Sequence, residues 1–153
     1  MIQILRNNHL ESIHLGSAIV IGPDNDTIIE WGDTNMKIFP RSAMKIIQAI
    51  PILESGAASH YKLGPQQLAL ACSSHQGTQV HTKIVKNWLS QIGLSEKDLK
   101  CGVQPPSDRM ERQRLSDCGE KASVFHNNCS GKHVGFLTSV KYQGLDSDYN
   151  DVQ

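Results

Sequence analysis

The apolar residues change their spacing at Phe39-Pro40-Arg41, and that change limits the fold more than any other feature of the chain. Before it they come in short β-branched runs. The stretch 12–22 ends in Ala18-Ile19-Val20-Ile21 and reads as a strand, and Thr27-Ile28-Ile29-Glu30-Trp31 reads as a second. Between them Gly22-Pro23-Asp24-Asn25-Asp26 is dense turn chemistry, so a hairpin with a longer loop is expected.

After Arg41 the period becomes helical. Apolar residues at 43, 46, 47, 50 and 53 predict a helix over 42–54, with a kink or early end at Pro51 and a stop at Gly56. Gly64-Pro65-Gln66-Gln67 opens a second helix, with proline in its first turn. It continues through Leu68-Ala69-Leu70-Ala71-Cys72, whose lack of charge implies deep burial. The positions 80, 84, 85, 88, 89 and 92 predict an amphipathic helix that ends at Gly93. Ser95-Glu96-Lys97-Asp98 resembles an N-cap and first turn. A polar helix over 108–118, a short extended piece over 123–126 and a last helix over 130–142 follow, the last with Val134, Leu137 and Val140 on one side. The tail 144–153 is polar and acidic. Two strands cannot cover so many apolar helix faces, so further strands are expected, from sequence beyond residue 153.

Composition narrows the function classes. Lys plus Arg number 15 and Asp plus Glu 15, a formal net charge of zero that argues against a nucleic-acid binder. The chain is 39% hydrophobic and 20% charged, enough apolar matter for a core. No apolar run approaches the roughly 18 residues of a membrane helix. The first residues lack a secretory apolar region, so a cytoplasmic location is expected. Cys72, Cys101, Cys118 and Cys129 are then expected to be thiols, with Cys101 and Cys118 structural.

Three segments carry candidate chemistry. In Arg41-Ser42-Ala43-Met44-Lys45 a hydroxyl and an amine stand three residues apart at a helix start, on one face. A buried lysine with a lowered pKa takes a serine proton and turns the serine into a nucleophile. The pair is expected in a dry crevice. The bland alternative is an N-cap serine beside a solvated lysine. Spacing alone is weak, because Ser59 and Lys62 repeat it in a polar loop. Cys72-Ser73-Ser74-His75 follows an apolar helix, so its hydroxyls and imidazole are expected either to enter a cleft or to cap that helix. Asn127-Asn128-Cys129-Ser130-Gly131-Lys132-His133 crowds a thiol, an amine and an imidazole at a helix start, a setting that favours thiolate. The segment has no Cys-x-x-Cys spacing, so it is not a zinc-finger pattern.

Taken jointly, Arg41 to Lys45, Cys72 to His75, Lys100-Cys101-Gly102 and Asn128 to His133 resemble one family, the rhizobial-type L-asparaginases, or asparaginase II family. The resemblance spans about residues 8–144 and the motifs stand in the family's order. It implies an α/β fold, a sheet flanked by helices as in serine β-lactamases and related glutaminases. Residues 1–153 would be the N-terminal part of one such domain, because the family's proteins are considerably longer. The implied reaction is hydrolysis of L-asparagine to aspartate and ammonia. Ser42 would be the nucleophile, Lys45 its base and Ser74 a second catalytic serine. Arg41 and His133 would contact substrate, and backbone amides near Ser42 are candidates for an oxyanion hole. Cys129 and Lys132 fall where the family holds zinc, which tunes substrate binding there. A third ligand cysteine and a further active-site lysine would lie beyond residue 153. A homodimer is implied as well. The rival readings are a glutaminase or β-lactamase-like serine hydrolase, and an inactive domain that binds metal or a partner.

Overall fold

The computed structural model describes residues 2–145, and the chain divides into two compact units, Met1–Phe39 and Pro40–Gln153. Among the described residues the architecture is mixed α and β, with six helices and two small antiparallel sheets. The expected tail lies largely outside the described residues.

The first unit is two hairpins. Strands β1 (Ile2–Arg6) and β2 (His9–His14) pair antiparallel across Asn7 and Asn8, both at positive φ (48° and 63°). Two left-handed residues in a two-residue loop match the right-handed twist of the strands, and asparagine tolerates that backbone. This hairpin is absent from the sequence-based expectation. Strands β3 (Ala18–Ile21) and β4 (Thr27–Trp31) form the expected hairpin, but the single strand expected over 12–22 is broken: residues 12–14 belong to β2 and only 18–21 to β3. Its loop closes through the Gly22 N–H donating to Asp26 O at 2.7 Å. Each ladder shifts register once, near Ile4 and near Val20. None of residues 2–39 is buried.

The second unit is helical. Helices α1 (Lys45–Glu54), α2 (Ala57–His60), α3 (Pro65–Ala71), α4 (Gln79–Gln91), α5 (Arg109–Asp117) and α6 (Ser130–Tyr142) are joined by 3-10 turns at Arg41–Met44, Glu96–Asp98 and Val124–His126. Residues 124–126 are thus a helical turn where an extended piece was expected. The reason is local: the Ser123 N–H donates to Nδ1 of His126 at 3.0 Å and closes the turn. The same three-residue reach caps α4, where the Thr78 N–H donates to Nδ1 of His81. Asp108 caps α5 by accepting from the Glu111 N–H at 2.7 Å.

Helix α6 is the axis of this unit, and α1, α2, α3 and α4 all contact it. Its residues are buried almost all round, from Ser130 and Gly131 to Leu137, Thr138 and Ser139. Two glycines allow the close approach. A Cβ on Gly131 would stand 2.6 Å from Leu70 O of α3, and one on Gly135 would stand 2.8 Å from the Ile52 side chain of α1. Trp88, Leu89, Val85 and Ile92 complete the core from α4 and the residue after it.

Helix α1 corrects two expectations. It runs through Pro51 to Glu54, and Pro51 O accepts from the Ser55 N–H. The missing proline N–H costs little because the orphaned carbonyl belongs to Ile47, an exposed residue. The buried residues of α1 are Lys45, Ala49 and Ile52, whereas Ile46, Ile47, Ile50 and Leu53 of the expected stripe are exposed. Periodicity finds an apolar face but does not say which face is covered. Here the covered face is the one that carries the lysine.

Candidate active site

The candidate site begins at a strained residue. Arg41, first in its 3-10 turn, has φ of +48°, a left-handed backbone that costs a non-glycine residue about 1 kcal/mol or more. Ser42 follows it, and three residues on Lys45 opens α1. The Lys45 amine is drawn inward, and the residue is 3% exposed. A buried amine needs partners, and two come from the serines that follow α3. Lys45 Nζ donates to Ser73 O at 2.8 Å and to Ser74 Oγ at 2.7 Å. Ser74 Oγ in turn donates to Ser42 Oγ at 3.0 Å.

The three expected catalytic side chains are therefore one hydrogen-bonded set, in an order that spacing does not reveal. Ser42 and Lys45 are linked through Ser74, which stands between them. Ser42 and Ser74 are exposed, so only the amine end meets the expectation of a dry crevice. Of the candidate oxyanion donors, the Ala43 N–H is already spent on Pro40 O at 3.1 Å.

His75 does not open into a cleft. It is 4% exposed, and both ring nitrogens are engaged. The Gly77 N–H donates to Nδ1 at 3.1 Å, and Nε2 lies 2.9 Å from Ser130 Oγ. Burial, aided by the nearby charges of His81, Lys45 and His126, lowers its pKa from 6.5 to about 4. His133 is also buried, and burial followed by the charges of Lys132 and Lys45 lowers its pKa to about 4. Both rings are thus neutral near pH 7. Arg41, the other expected substrate contact, is exposed.

Cys129 is the residue before α6, and Lys132 lies one turn inside it. Asn127 ties this start to the Lys100-Cys101-Gly102 segment. Its Nδ2 donates to Cys101 O at 2.7 Å and Gly102 O at 3.1 Å, while its Oδ1 accepts from the Cys129 N–H at 2.8 Å. Sequence reasoning gives Asn127 no role, although Asn before a helix start is capping chemistry. Burial pushes the Cys101 thiol up to about 11, and it also feels Cys129 and Lys132. The Lys132 amine stands 5.5 Å from the centre of the Phe136 ring, where a cation is attracted to the ring face. Among the described residues no group of three His, Cys, Asp or Glu is placed to hold a metal. Cys129 and Lys132 are the two expected zinc donors within the described residues, and a structural zinc site takes four ligands.

A separate cleft of about 300 Å³ has Lys83, Lys86, Glu111, Arg114, Phe125 and His126 among its lining residues. It holds none of the expected site residues. The carboxylate of Glu111 is paired with Arg114 there, at 2.8 Å. No helix among the described residues is long and apolar enough to cross a membrane.

No curated protein matches the chain. The family model described as L-asparaginase II matches residues 2–153. That match covers nearly the whole sequence, and the chain belongs to the L-asparaginase II family, whose members are amidohydrolases of the asparaginase type.

Proposed function

We propose that the protein hydrolyses the side-chain amide of L-asparagine to aspartate and ammonia through an acyl-enzyme on Ser42. The observation that carries this reading is the continuous path from a buried amine to an open hydroxyl: Lys45 Nζ, Ser74 Oγ, Ser42 Oγ. With the amine neutral, the donors reverse and the proton moves inward. Ser42 Oγ attacks the amide carbon and its proton passes to Ser74 Oγ. The Ser74 proton passes to Lys45 Nζ. The carbon–nitrogen bond then breaks, and the amide nitrogen leaves as ammonia with the proton returned along the same path. The product of this half is an aspartyl ester on Ser42. Water attacks the ester, gives its proton to the relay, and Ser42 leaves with a proton as aspartate is released. The carbonyl of Ser73 holds the amine in line throughout. No step runs through a metal.

Ammonia release from asparagine by wild type and by Ser42→Ala tests the reading. The expected loss in kcat is on the order of a thousandfold or more. Equal rates remove Ser42 from the reaction. A homodimer and a cytoplasmic location belong to the same reading, and sedimentation and fractionation read them.

One observation favours a second reading, a domain that binds without turnover. Ser42 and Ser74 are exposed, and bulk water weakens the electrostatics on which a relay depends. Cooperative unfolding together with no turnover of asparagine, glutamine or a chromogenic lactam would support it.

A further inference from the structure

We infer that His75 is a positioning residue for the relay: a neutral imidazole whose one N–H ties the Ser73-Ser74 segment to the start of α6. The inference rests on the reading of Ser42, Ser74 and Lys45 as the reacting set.

With the ring neutral, the hydrogen bonds assign the tautomer. Nδ1 accepts from the Gly77 N–H, so in the neutral ring the proton sits on Nε2. Nε2–H therefore donates to Ser130 Oγ, and the Ser130 hydroxyl donates onward to Phe125 O at 3.1 Å. No nitrogen lone pair is left to take a proton, so His75 is not a base in the reaction. Its burial keeps the ring uncharged and makes the Ser130 contact a buried neutral hydrogen bond, costly to leave half made.

What the ring holds is the segment that receives the Lys45 amine. His75 directly follows Ser73 and Ser74, whose carbonyl and hydroxyl are the two acceptors of Nζ. Its own N–H donates to Asn128 O at 3.1 Å, beside Cys129. Main chain and ring of one residue thus fasten the relay to two sites on either side of Cys129, Asn128 and Ser130. On its other side the segment is fixed by Gly77. Gly77 has φ of +75°, and a Cβ there would stand 2.8 Å from His126 O and 2.9 Å from Pro106. The Gln76 carbonyl accepts from the Asp108 N–H at 3.1 Å. Without the ring, the stretch from Ser73 to Gln76 keeps the bonds of the His75 N–H and the Gln76 carbonyl and loses those of the ring to Ser130 Oγ and the Gly77 N–H.

The test compares His75→Leu, His75→Gln and Ser130→Ala in the full chain. The glutamine amide offers an N–H near the place of Nε2, whereas leucine offers none. The readout that needs no turnover is the reactivity of each lysine toward acetic anhydride, measured by mass spectrometry. Lys45 is expected to be slow in wild type, at least fivefold faster in His75→Leu and Ser130→Ala, and within twofold of wild type in His75→Gln. Val85→Ala, a core change away from the segment, is the control for lost stability and should leave Lys45 slow relative to the other lysines. In ammonia release, His75→Leu should lower kcat at least tenfold with KM within twofold, and His75→Gln should recover most of it. If His75→Leu does not fold, Ser130→Ala and His75→Gln decide. Wild-type Lys45 reactivity in Ser130→Ala, or equal effects of leucine and glutamine at position 75, would overturn the inference. Failure of the proposed reaction reads differently: Ser42→Ala then keeps full ammonia release, whatever the lysine labelling shows.

Discussion

The hairpin unit up to Phe39 and the helical unit from Pro40 use apolar residues in opposite ways. In the first, Ile4, Leu5, Leu10, Ile19, Val20, Ile28 and Ile29 all remain exposed, and ladders and turns define the structure. In the second, Trp88, Ile52, Val85, Val134 and Leu137 are buried almost completely around one helix. Two-stranded ribbons without a core are marginal by themselves, so side-chain precision is available only in the helical unit. All the candidate site residues, from Arg41 to His133, belong to that unit. The lesson is that a short path of hydroxyls and an amine needs neighbours whose positions are fixed by close packing.

The largest expected difference between the units is in core truncation. Trp88→Ala, at a residue 0% exposed, should cost about 3–5 kcal/mol in denaturant unfolding. Ile19→Ala, on a strand residue 45% exposed, should cost about 1 kcal/mol or less. Equal costs would break the contrast. Next comes the glycine contact between α3 and α6. Gly131→Ala places a Cβ 2.6 Å from backbone and should cost about 1–3 kcal/mol, measured by thermal unfolding. Gly102→Ala meets no atom within 4 Å and pays only for its positive φ, about 1 kcal/mol.

A smaller effect sharpens the comparison through pH. The His75 pKa falls from 6.5 unfolded to about 4 folded. Between those values the unfolded chain binds the extra proton, so stability drops as pH falls from about 6.5 to 4 and is unaffected by this group above that window. The slope at its steepest is about 1.4 kcal/mol per pH unit. Urea unfolding across the window should show it in wild type and show a flatter profile in His75→Gln. An unchanged profile would mean that the ring is not buried neutral. The smallest expected signal is metal. Zinc after dialysis should be well below one ion per chain, because Cys129 and Lys132 are two donors. Tight stoichiometric zinc in Cys129→Ser would remove Cys129 from any metal role.

Local structure was legible where local chemistry decides it. The hairpin of β3 and β4 follows from β-branched runs around a turn-rich loop, and α3, α4, α5 and α6 follow from period, Pro65, Asp108 and Gly93. The hairpin of β1 and β2 was not legible because Asn7-Asn8 lies between strands that mix polar with apolar residues. The buried face of α1 was hidden because four of its five large apolar residues are exposed, and a lysine occupies the covered side beside Ile52. The site was legible as three segments and not as a path. Lys45 and Ser74 are 29 residues apart, and Ser74 and Ser42 are 32 apart, so only packing sets their order. His75 shows the same limit, since its partner Ser130 is 55 residues away.

The relay is tested most directly at its middle member. Ser74→Ala should leave KM for asparagine within a few-fold of wild type and lower kcat for ammonia release by about 10²–10³-fold. Ser74→Ala combined with Lys45→Met should fall no further than the worse single variant, because both cut one path. A Ser74→Ala enzyme with wild-type kcat would contradict the relay.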